Sequence, residues 1–312
     1  MDVNVDAGGE MGDDDLSVIM SERRRLTNLA YRMLGSLADA EDVVQETCAR
    51  WYAMPAERRQ AVASPAGWLT TVASRICLAQ LGSARARRER YVGEWLPEPL
   101  PGHREGADGA AADPANPADP ADRITLDESV NMAFLVVLET MTPAERVAFI
   151  LHDVFQYPFA EVAAVVGRSA AACRQLAASA RRRIRAAQAP VAPTGVQAGL
   201  VREFKRAWEA KDVRSLMDLL DPEATVIADG GGLAGALLEP LVGSERIARA
   251  YAGSAGLVGG RTLRERTVNG LPGLVAEQDG VTDTVIAFRT TGHRISHIWV
   301  VRNPEKLRPW QG

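Results

Sequence analysis

The sequence of 312 residues is poor in several residue types, and each shortage excludes a class of protein. It has three cysteines without a CxxC pair and four histidines without metal-ligand spacing, so neither a disulfide framework nor a zinc site is expected. No apolar run reaches about 18 residues, and no apolar stretch follows the acidic N-terminus. We therefore expect a cytoplasmic protein with no membrane anchor, no metal and no cofactor.

The charge is unevenly distributed along the chain. The total of 36 Lys and Arg against 40 Asp and Glu leaves a net charge of −4, which by itself argues against nucleic-acid binding. Residues 17–92, however, carry 12 bases and 7 acids, whereas residues 1–16 carry six acids and no base and residues 93–123 carry 7 acids and 2 bases. A basic block is therefore masked in the average by acidic flanking sequence.

Two segments divide the chain: residues 97–123, which are rich in Pro, Ala, Gly and Asp, and the shorter APVAPTG at 189–195. The first is expected to be a semi-extended linker with nothing to bury. The predicted organisation is an acidic disordered extension (1–16), a helical module (17–92), a linker (93–123), a second helical module (124–188) and a third module (196–312).

The first module is predicted to be all helix. Apolar residues at helical spacing stop at Gly35, and Asp39 is expected to cap a helix that runs to about Tyr52. Ser64 and Pro65 then form an N-cap and first-turn pair for a third helix.

The helix after Asp39 is two-sided. Val44, Thr47, Cys48 and Trp51 form an apolar stripe, whereas the acids lie towards the other side. Acids early in a helix are favoured by its dipole, so a capped, solvated helix explains the pattern. An acidic docking surface for a basic partner is the alternative.

The third helix runs into SARARRER, which places Arg85, Arg87, Arg88 and Arg90 within eight residues. Such a run suits a phosphate backbone or a single strand. A solvated basic helix end remains the alternative.

The second module contains a helix-turn-helix pattern. Thr142 to Glu145 reads as a capping box, and two short helices are predicted over 159–166 and 170–186, separated by Gly167 and Ser169. The second of these helices has an apolar core stripe, and no acid occurs between Gly167 and Gln188. Arginines at both of its ends, with one glutamine, suit entry into the DNA major groove with phosphate anchoring.

The third module changes character. Helical periodicity over 196–220 and around 244–253 is accompanied by five strand-like runs, at 224–228, 263–268, 274–277, 282–288 and 295–301. The predicted fold is α+β, with the late strands forming an antiparallel sheet.

Three segments together resemble extracytoplasmic-function RNA polymerase sigma factors. They are ADAEDVVQETCARW, SPAGWLTTVASRICLAQLGSARARRER and MTPAERVAFILHDVFQYPFAEVAAVVGRSAAACRQLAASARRRI. YVGEWLPEPL, DGGG and NPEKL resemble the marks of a subgroup with a fused SnoaL-like domain. The resemblance implies two all-α sigma domains, domain 2 and the helix-turn-helix domain 4, followed by an α+β SnoaL-like cone.

The resemblance also implies roles for particular residues. The partners implied are core RNA polymerase, through its β′ and β subunits, and promoter DNA. Core polymerase would be bound by Asp39, Glu41, Asp42, Gln45 and Glu46. The −10 element would be opened and read by Trp68, Thr71, Arg75, Arg85, Arg87, Arg88 and Arg90. The −35 element would be read by Arg168, Ser169, Arg174, Gln175, Arg181 and Arg182. Regulatory contacts would involve Trp95, Leu96, Pro97, Asp229, Gly230, Gly231, Gly232, Asn303 and Pro304.

Three explanations of the third module stay open at this stage: an enzyme, a pocket for a small ligand in the cone, and an intramolecular regulatory contact. An enzyme would need converging titratable groups, for which the candidates are Asp229, Asp283, His293, His297 and Trp299. The expected function is a non-enzymatic sigma factor whose third module modulates its activity in cis. The alternatives are a helix-turn-helix regulator with a ligand-binding module, and a SnoaL-type enzyme with a DNA-binding appendage.

Overall fold

A computed structural model describes residues 13–88, 91–102, 131–187, 194–253 and 260–311. Residues 1–12 of the predicted acidic extension and most of the predicted linker lie outside these residues. Residues 13–16, which were predicted to belong to the disordered extension, are instead helical. The first module consists of four helices: α1 (Asp13–Leu34), α2 (Leu37–Tyr52), α3 (Ala56–Gln60) and α4 (Pro65–Arg88). Gly35 ends α1 with a positive φ of 72°, as its position predicts.

The predicted N-cap is wrong for α2 and correct for α4. The N-cap of α2 is Ser36, whose side chain accepts a hydrogen bond from the Asp39 N–H, so the expected cap at Asp39 is wrong by three residues. Asp39 instead lies in the first turn, where its charge complements the helix dipole. Helix α4 begins at Pro65 as predicted, and the Ser64 Oγ accepts the Gly67 N–H at 3.2 Å.

The second module is also helical. Its elements are α5 (Met132–Glu139), α6 (Pro143–Phe149), a π-helical turn (Ile150–Val154), α7 (Phe159–Val166) and α8 (Ala170–Ala187). The predicted capping box is present, because the Thr142 side chain and the Glu145 carboxylate each accept the other residue's backbone N–H. Helices α7 and α8 are joined through Gly167 at φ 70°.

The third module places helices against one face of a six-stranded sheet. Its elements are α9 (Thr194–Glu209), α10 (Val213–Leu219), β1 (Leu220–Asp229), β2 (Leu241–Val242), α11 (Ser244–Gly253), β3 (Thr262–Val268), β4 (Leu271–Gln278), β5 (Val281–Thr291), β6 (Arg294–Val301) and a 3₁₀ turn (Arg308–Trp310). The strand order is β2-β1-β6-β5-β4-β3. The sheet is mixed, because β1 pairs parallel to β6 while the other neighbours are antiparallel.

The hydrophobic cores do not follow the module boundaries. One core is shared by the first two modules and includes Leu29 and Trp51 together with Val147 and Ala180. A second core fills the space between the helices and the inner face of the sheet. A third lies on the outer face of the sheet and contains Leu96. Residues 96–99 are buried, which differs from the expectation that the linker has nothing to bury.

Candidate functional site

The predicted polymerase-docking residues lie on one face of α2. Glu41, Asp42, Gln45 and Glu46 are exposed and Asp39 is half-buried. Val44, Thr47 and Trp51 are buried on the opposite side, with Cys48 half-buried beside them. The Glu46 carboxylate is paired with Arg50 at 2.5 Å, one turn along the same helix. One face of α2 is therefore acidic and exposed, and the opposite face packs on the hydrophobic core.

The predicted −10 residues, apart from Arg90, lie along α4. The Trp68 ring is half-buried and meets the Trp51 ring edge-on at 5.2 Å between centroids. The Thr71 hydroxyl donates to the Gly67 carbonyl oxygen at 2.8 Å, whereas Arg75 is exposed. Arg85, Arg87 and Arg88 lie in the last turns of α4, and Arg90 lies outside the described residues.

The predicted −35 residues lie on the helix-turn-helix unit. Most of them are exposed, namely Arg168, Ser169, Arg174, Gln175 and Arg182. The opposite side of α8 is buried and carries Cys173, Ala177 and Ala180. The Arg174 guanidinium lies 5.4 Å from the centroid of the Phe159 ring, which restricts its orientation. Arg181 differs from the others: it is half-buried, and its Nε lies 3.3 Å from Asp153 Oδ1.

The predicted −10 surface touches the helix-turn-helix unit that carries the predicted −35 residues. The Arg75 guanidinium on α4 donates to the Ala164 carbonyl oxygen of α7 at 2.9 Å. The Tyr157 hydroxyl lies 3.0 Å from the Thr70 hydroxyl and 2.7 Å from the Arg25 guanidinium. The second module is thus docked directly on helices α1 and α4 of the first.

The buried carboxylate of Asp229 is the centre of the linker contact. Its side chain is fully buried at the end of β1. One oxygen accepts from the Tyr91 hydroxyl at 2.6 Å and from the Gly231 N–H at 3.0 Å, and the other accepts from the Leu96 N–H at 2.8 Å. We call the group formed by Tyr91, Leu96, Asp229, Asn303 and Lys306 the linker clasp.

Lys306 supplies the positive charge of the linker clasp. Its ammonium donates to Asp229 Oδ2 at 2.6 Å and to the Leu96 carbonyl oxygen at 2.5 Å. It also lies 4.1 Å from the centroid of the Trp95 ring and 5.1 Å from that of Tyr91. Burial, and then the neighbouring Asp229, raise the pKa of Tyr91, so its hydroxyl stays a donor.

The glycines after Asp229 give the linker room to approach. A Cβ on Gly231, which has φ 62°, would lie 2.4 Å from the Asn303 amide nitrogen. A Cβ on Gly232 would lie 3.1 Å from Val92 Cβ, and one on Gly230 would lie 2.2 Å from a backbone oxygen within the same turn. The DGGG sequence is therefore a tight turn against which another segment packs, as its composition indicates.

Asn303 and Pro304 contribute differently to the clasp. The Asn303 amide donates to the Tyr91 hydroxyl at 2.8 Å. Pro304 is exposed, and its carbonyl oxygen accepts from the Leu307 N–H within the turn that carries Lys306. Lys306 and Tyr91 fall within two of the sequence marks, NPEKL and YVGEWLPEPL, yet they were not predicted as contacts.

The linker continues from the clasp to the turn between α1 and α2. The Glu98 carboxylate accepts from the Leu37 N–H at 2.7 Å, and the Glu98 N–H donates to the Gly35 carbonyl oxygen at 2.8 Å. The Tyr31 hydroxyl donates to the Glu98 carbonyl oxygen and accepts from the Asn269 amide of the third module. Burial raises the pKa of Glu98. The linker therefore joins the third module to the N-terminus of the acidic helix.

The third module also contacts the second. Met132 of α5 packs with Val268 and Trp299 on the outer face of the sheet, beside Leu96 of the linker. The Arg289 guanidinium on β5 donates to the carbonyl oxygen of Ala187, the last residue of α8. Pro97 is buried beside Gly35.

The five candidates for catalysis do not come together. Asp229 is engaged by the linker, and Asp283 is paired with Arg261 at 2.5 Å. His293 is exposed in the turn between β5 and β6. His297 stacks on Trp299 at 5.7 Å between ring centroids, on the outer face of the sheet, and burial lowers its pKa. Within the described residues, no cluster of His, Cys, Asp and Glu suited to a metal ion occurs.

Within the part of the chain that the structure describes, no helix is both long and apolar enough to span a bilayer.

Comparison with known proteins gives consistent matches. Residues 18–87 match the Sigma-70 region 2 family and residues 131–184 match the Sigma-70, region 4 family. The chain is 36% identical over 308 residues to the ECF RNA polymerase sigma factor SigJ of Mycobacterium tuberculosis, covering 94% of this chain and 93% of that protein. It is 33% identical over 299 residues to the probable ECF RNA polymerase sigma factor SigI of the same species, covering 93% of each. The crystal structure of M. tuberculosis SigJ superposes with a TM-score of 0.72 at 34% identity, covering 94% of this chain and 98% of that one.

Proposed function

The chain belongs to the extracytoplasmic-function RNA polymerase sigma factors, and we propose that its third module holds the two sigma modules in a closed arrangement through the linker clasp. Membership in this family makes the protein an alternative sigma factor that directs transcription initiation. The expected class is therefore confirmed, and the proposal concerns how this chain binds its partners and how it is restrained.

The proposed binding surfaces are those described above. The acidic face of α2 binds the β′ subunit of core polymerase, and the β subunit completes the interface. The surface of α4 from Trp68 to its basic end engages the −10 element, and the exposed side of α8 reads the −35 element as duplex. The protein acts in the cytoplasm, where its polymerase is, and performs no catalysis itself, which the scattered positions of Asp229, Asp283 and His297 support.

The observation that carries the closed arrangement is the contact between the predicted −10 surface and the helix-turn-helix unit that carries the −35 surface. The names of the two elements place them about 25 base pairs apart, which is roughly 85 Å along a duplex at 3.4 Å per base pair. Arg75 of the −10 surface lies within hydrogen-bond distance of Ala164 on α7, the helix that precedes the recognition helix α8. One molecule in this arrangement cannot reach both elements, so the modules must separate before a promoter is bound.

The third module is positioned to oppose that separation. It contacts the linker through Asp229 and Lys306, the first module through Asn269, and the second module through Arg289. Each contact must be broken or rearranged if the modules are to move apart. We therefore infer that the third module modulates initiation in cis, in the role that a separate inhibitory protein would otherwise fill.

Asp229→Asn tests this proposal, because it keeps the shape of the side chain while removing the charge that pairs with Lys306. The expected result is more promoter-specific run-off transcript with purified core polymerase than the wild type gives at equal concentration. A matched control is Asp212→Asn, which alters an exposed helix cap of the third module far from the linker in sequence.

A chain truncated after residue 191 provides the second arm of the experiment. If truncation and Asp229→Asn both leave transcription and promoter-complex lifetime unchanged, the third module does not restrain the sigma modules. A decrease with Asp229→Asn would equally contradict the proposal.

A further inference from the structure

The third module contains an open cavity that lies apart from the linker clasp. Its volume is about 450 Å³, and it lies between α9, α11 and the inner face of the sheet. Val226, Leu241, Ile286 and Val300 form apolar walls, with Trp208 contributing an aromatic one. The volume falls within the range of about 300–1,000 Å³ that is typical of small-molecule sites.

The charged residues that line the cavity are both cationic. They are Arg261 and Arg302, and among the described residues no carboxylate contributes to the lining. Asp283 pairs with Arg261 from outside the cavity at 2.5 Å, which neutralises one of the two charges. Arg302 donates to the carbonyl oxygen of Gly235 in the loop after the DGGG turn. An apolar chamber with one uncompensated cation favours a ligand that is apolar and carries one negative charge.

We propose that this cavity binds a small apolar carboxylic acid, with its hydrocarbon part against the inner face of the sheet and its carboxylate held by Arg302. Both a hydrocarbon chain and an aromatic ring meet this description, since the walls are apolar and irregular. The carboxylate is the feature that distinguishes the proposed ligand from a neutral apolar molecule.

The cavity and the linker clasp share structural elements. Ala228 lines the cavity, and the next residue, Asp229, holds the linker. Arg302 lines the cavity, and the next residue, Asn303, donates to Tyr91. A molecule that displaces Arg302 or the loop at Gly235 therefore acts on the clasp through one peptide bond. This coupling rests on the proposed function, whereas the binding itself does not.

Titration calorimetry on the full-length protein tests the binding, with decanoate as the probe and 1-decanol as its neutral counterpart. We expect decanoate to bind at least tenfold more tightly than decanol. Arg302→Gln should weaken decanoate roughly ten- to hundredfold, the range for a hydrogen bond to a charged group. Arg202→Gln, on the exposed side of α9, is the matched control and should bind as the wild type does.

Two outcomes would overturn the site. One is no heat of binding at decanoate concentrations up to about 1 mM, where a site of millimolar affinity would be detected. The other is equal binding of decanoate and decanol, or unchanged decanoate affinity in Arg302→Gln. Ala276→Leu, which fills the cavity from β4, should abolish binding, and its thermal midpoint shows whether the variant is folded. A change in transcription on adding decanoate to the wild type but not to Asp229→Asn tests the coupling separately.

Discussion

Lys306→Met is the sharpest test of the linker clasp, because it removes a single charge while keeping most of the side-chain volume. Asp229 is fully buried and Lys306 is 10% exposed, so the substitution leaves an uncompensated buried carboxylate. Removing one partner of a buried pair costs about 3–5 kcal/mol. Tyr91, Leu96 and Gly231 continue to donate to Asp229, which favours the lower end of that range, about 3 kcal/mol.

Amide hydrogen exchange reports this loss directly. The Leu96 N–H is bonded to Asp229 Oδ2, so it exchanges only when the clasp opens. Where reclosing is faster than chemical exchange, a loss of about 3 kcal/mol accelerates exchange of the Leu96 amide roughly 150-fold. The peptide covering residues 91–100 should show this acceleration, and peptides from α8 should not.

Lys205→Met is the matched control for this experiment. Lys205 forms an exposed pair with Glu209 one turn along α9, and such pairs contribute about 0.3–0.5 kcal/mol. Exchange in residues 91–100 should therefore be unchanged by it. The reasoning is refuted if Lys306→Met leaves exchange of the Leu96 amide within about threefold of wild type, well below the shift expected for an opened clasp. Equal acceleration in every peptide would also contradict it, because that indicates general destabilisation.

Two further predictions concern the partner surfaces. Reversing charge on the exposed face of α2, with Asp42→Arg and Glu46→Arg together, should abolish binding to core polymerase in a pull-down while circular dichroism stays unchanged; retained binding would exclude this face as the docking surface. Arg174→Ala and Gln175→Ala should each weaken binding to −35 duplex by about 1–3 kcal/mol, measured by fluorescence anisotropy, since the proposed function assigns each of them a contact to a base edge. Arg202→Ala, which removes an arginine from the third module, should leave that affinity unchanged.

Local sequence was sufficient for much of the helical structure. A capping box, an N-cap followed by proline and a glycine between two apolar stripes act within a few residues, so Thr142, Pro65 and Gly167 mark element boundaries without tertiary information. Two features of the third module were not predicted from local sequence. Helicity predicted across 196–220 is interrupted between α9 and α10, where Lys211 has φ 57°. The two-residue strand β2 is too short to carry a periodic signal.

The sequence by itself carried the resemblance that identified the family. It also predicted the acidic face of α2 and the exposed basic side of α8, because both depend on residue types repeated at helical spacing. Only the tertiary structure decided what the marks around DGGG and NPEKL do. Lys306 is 77 residues from Asp229 and 210 from Leu96, and no periodicity connects such distant positions. The parallel pairing of β1 with β6 brings Asp229 beside Val301, and the turn that follows β6 carries Asn303 and Lys306 to the linker. The linker clasp therefore depends on the fold, which places the Lys306 ammonium beside the buried Asp229 carboxylate.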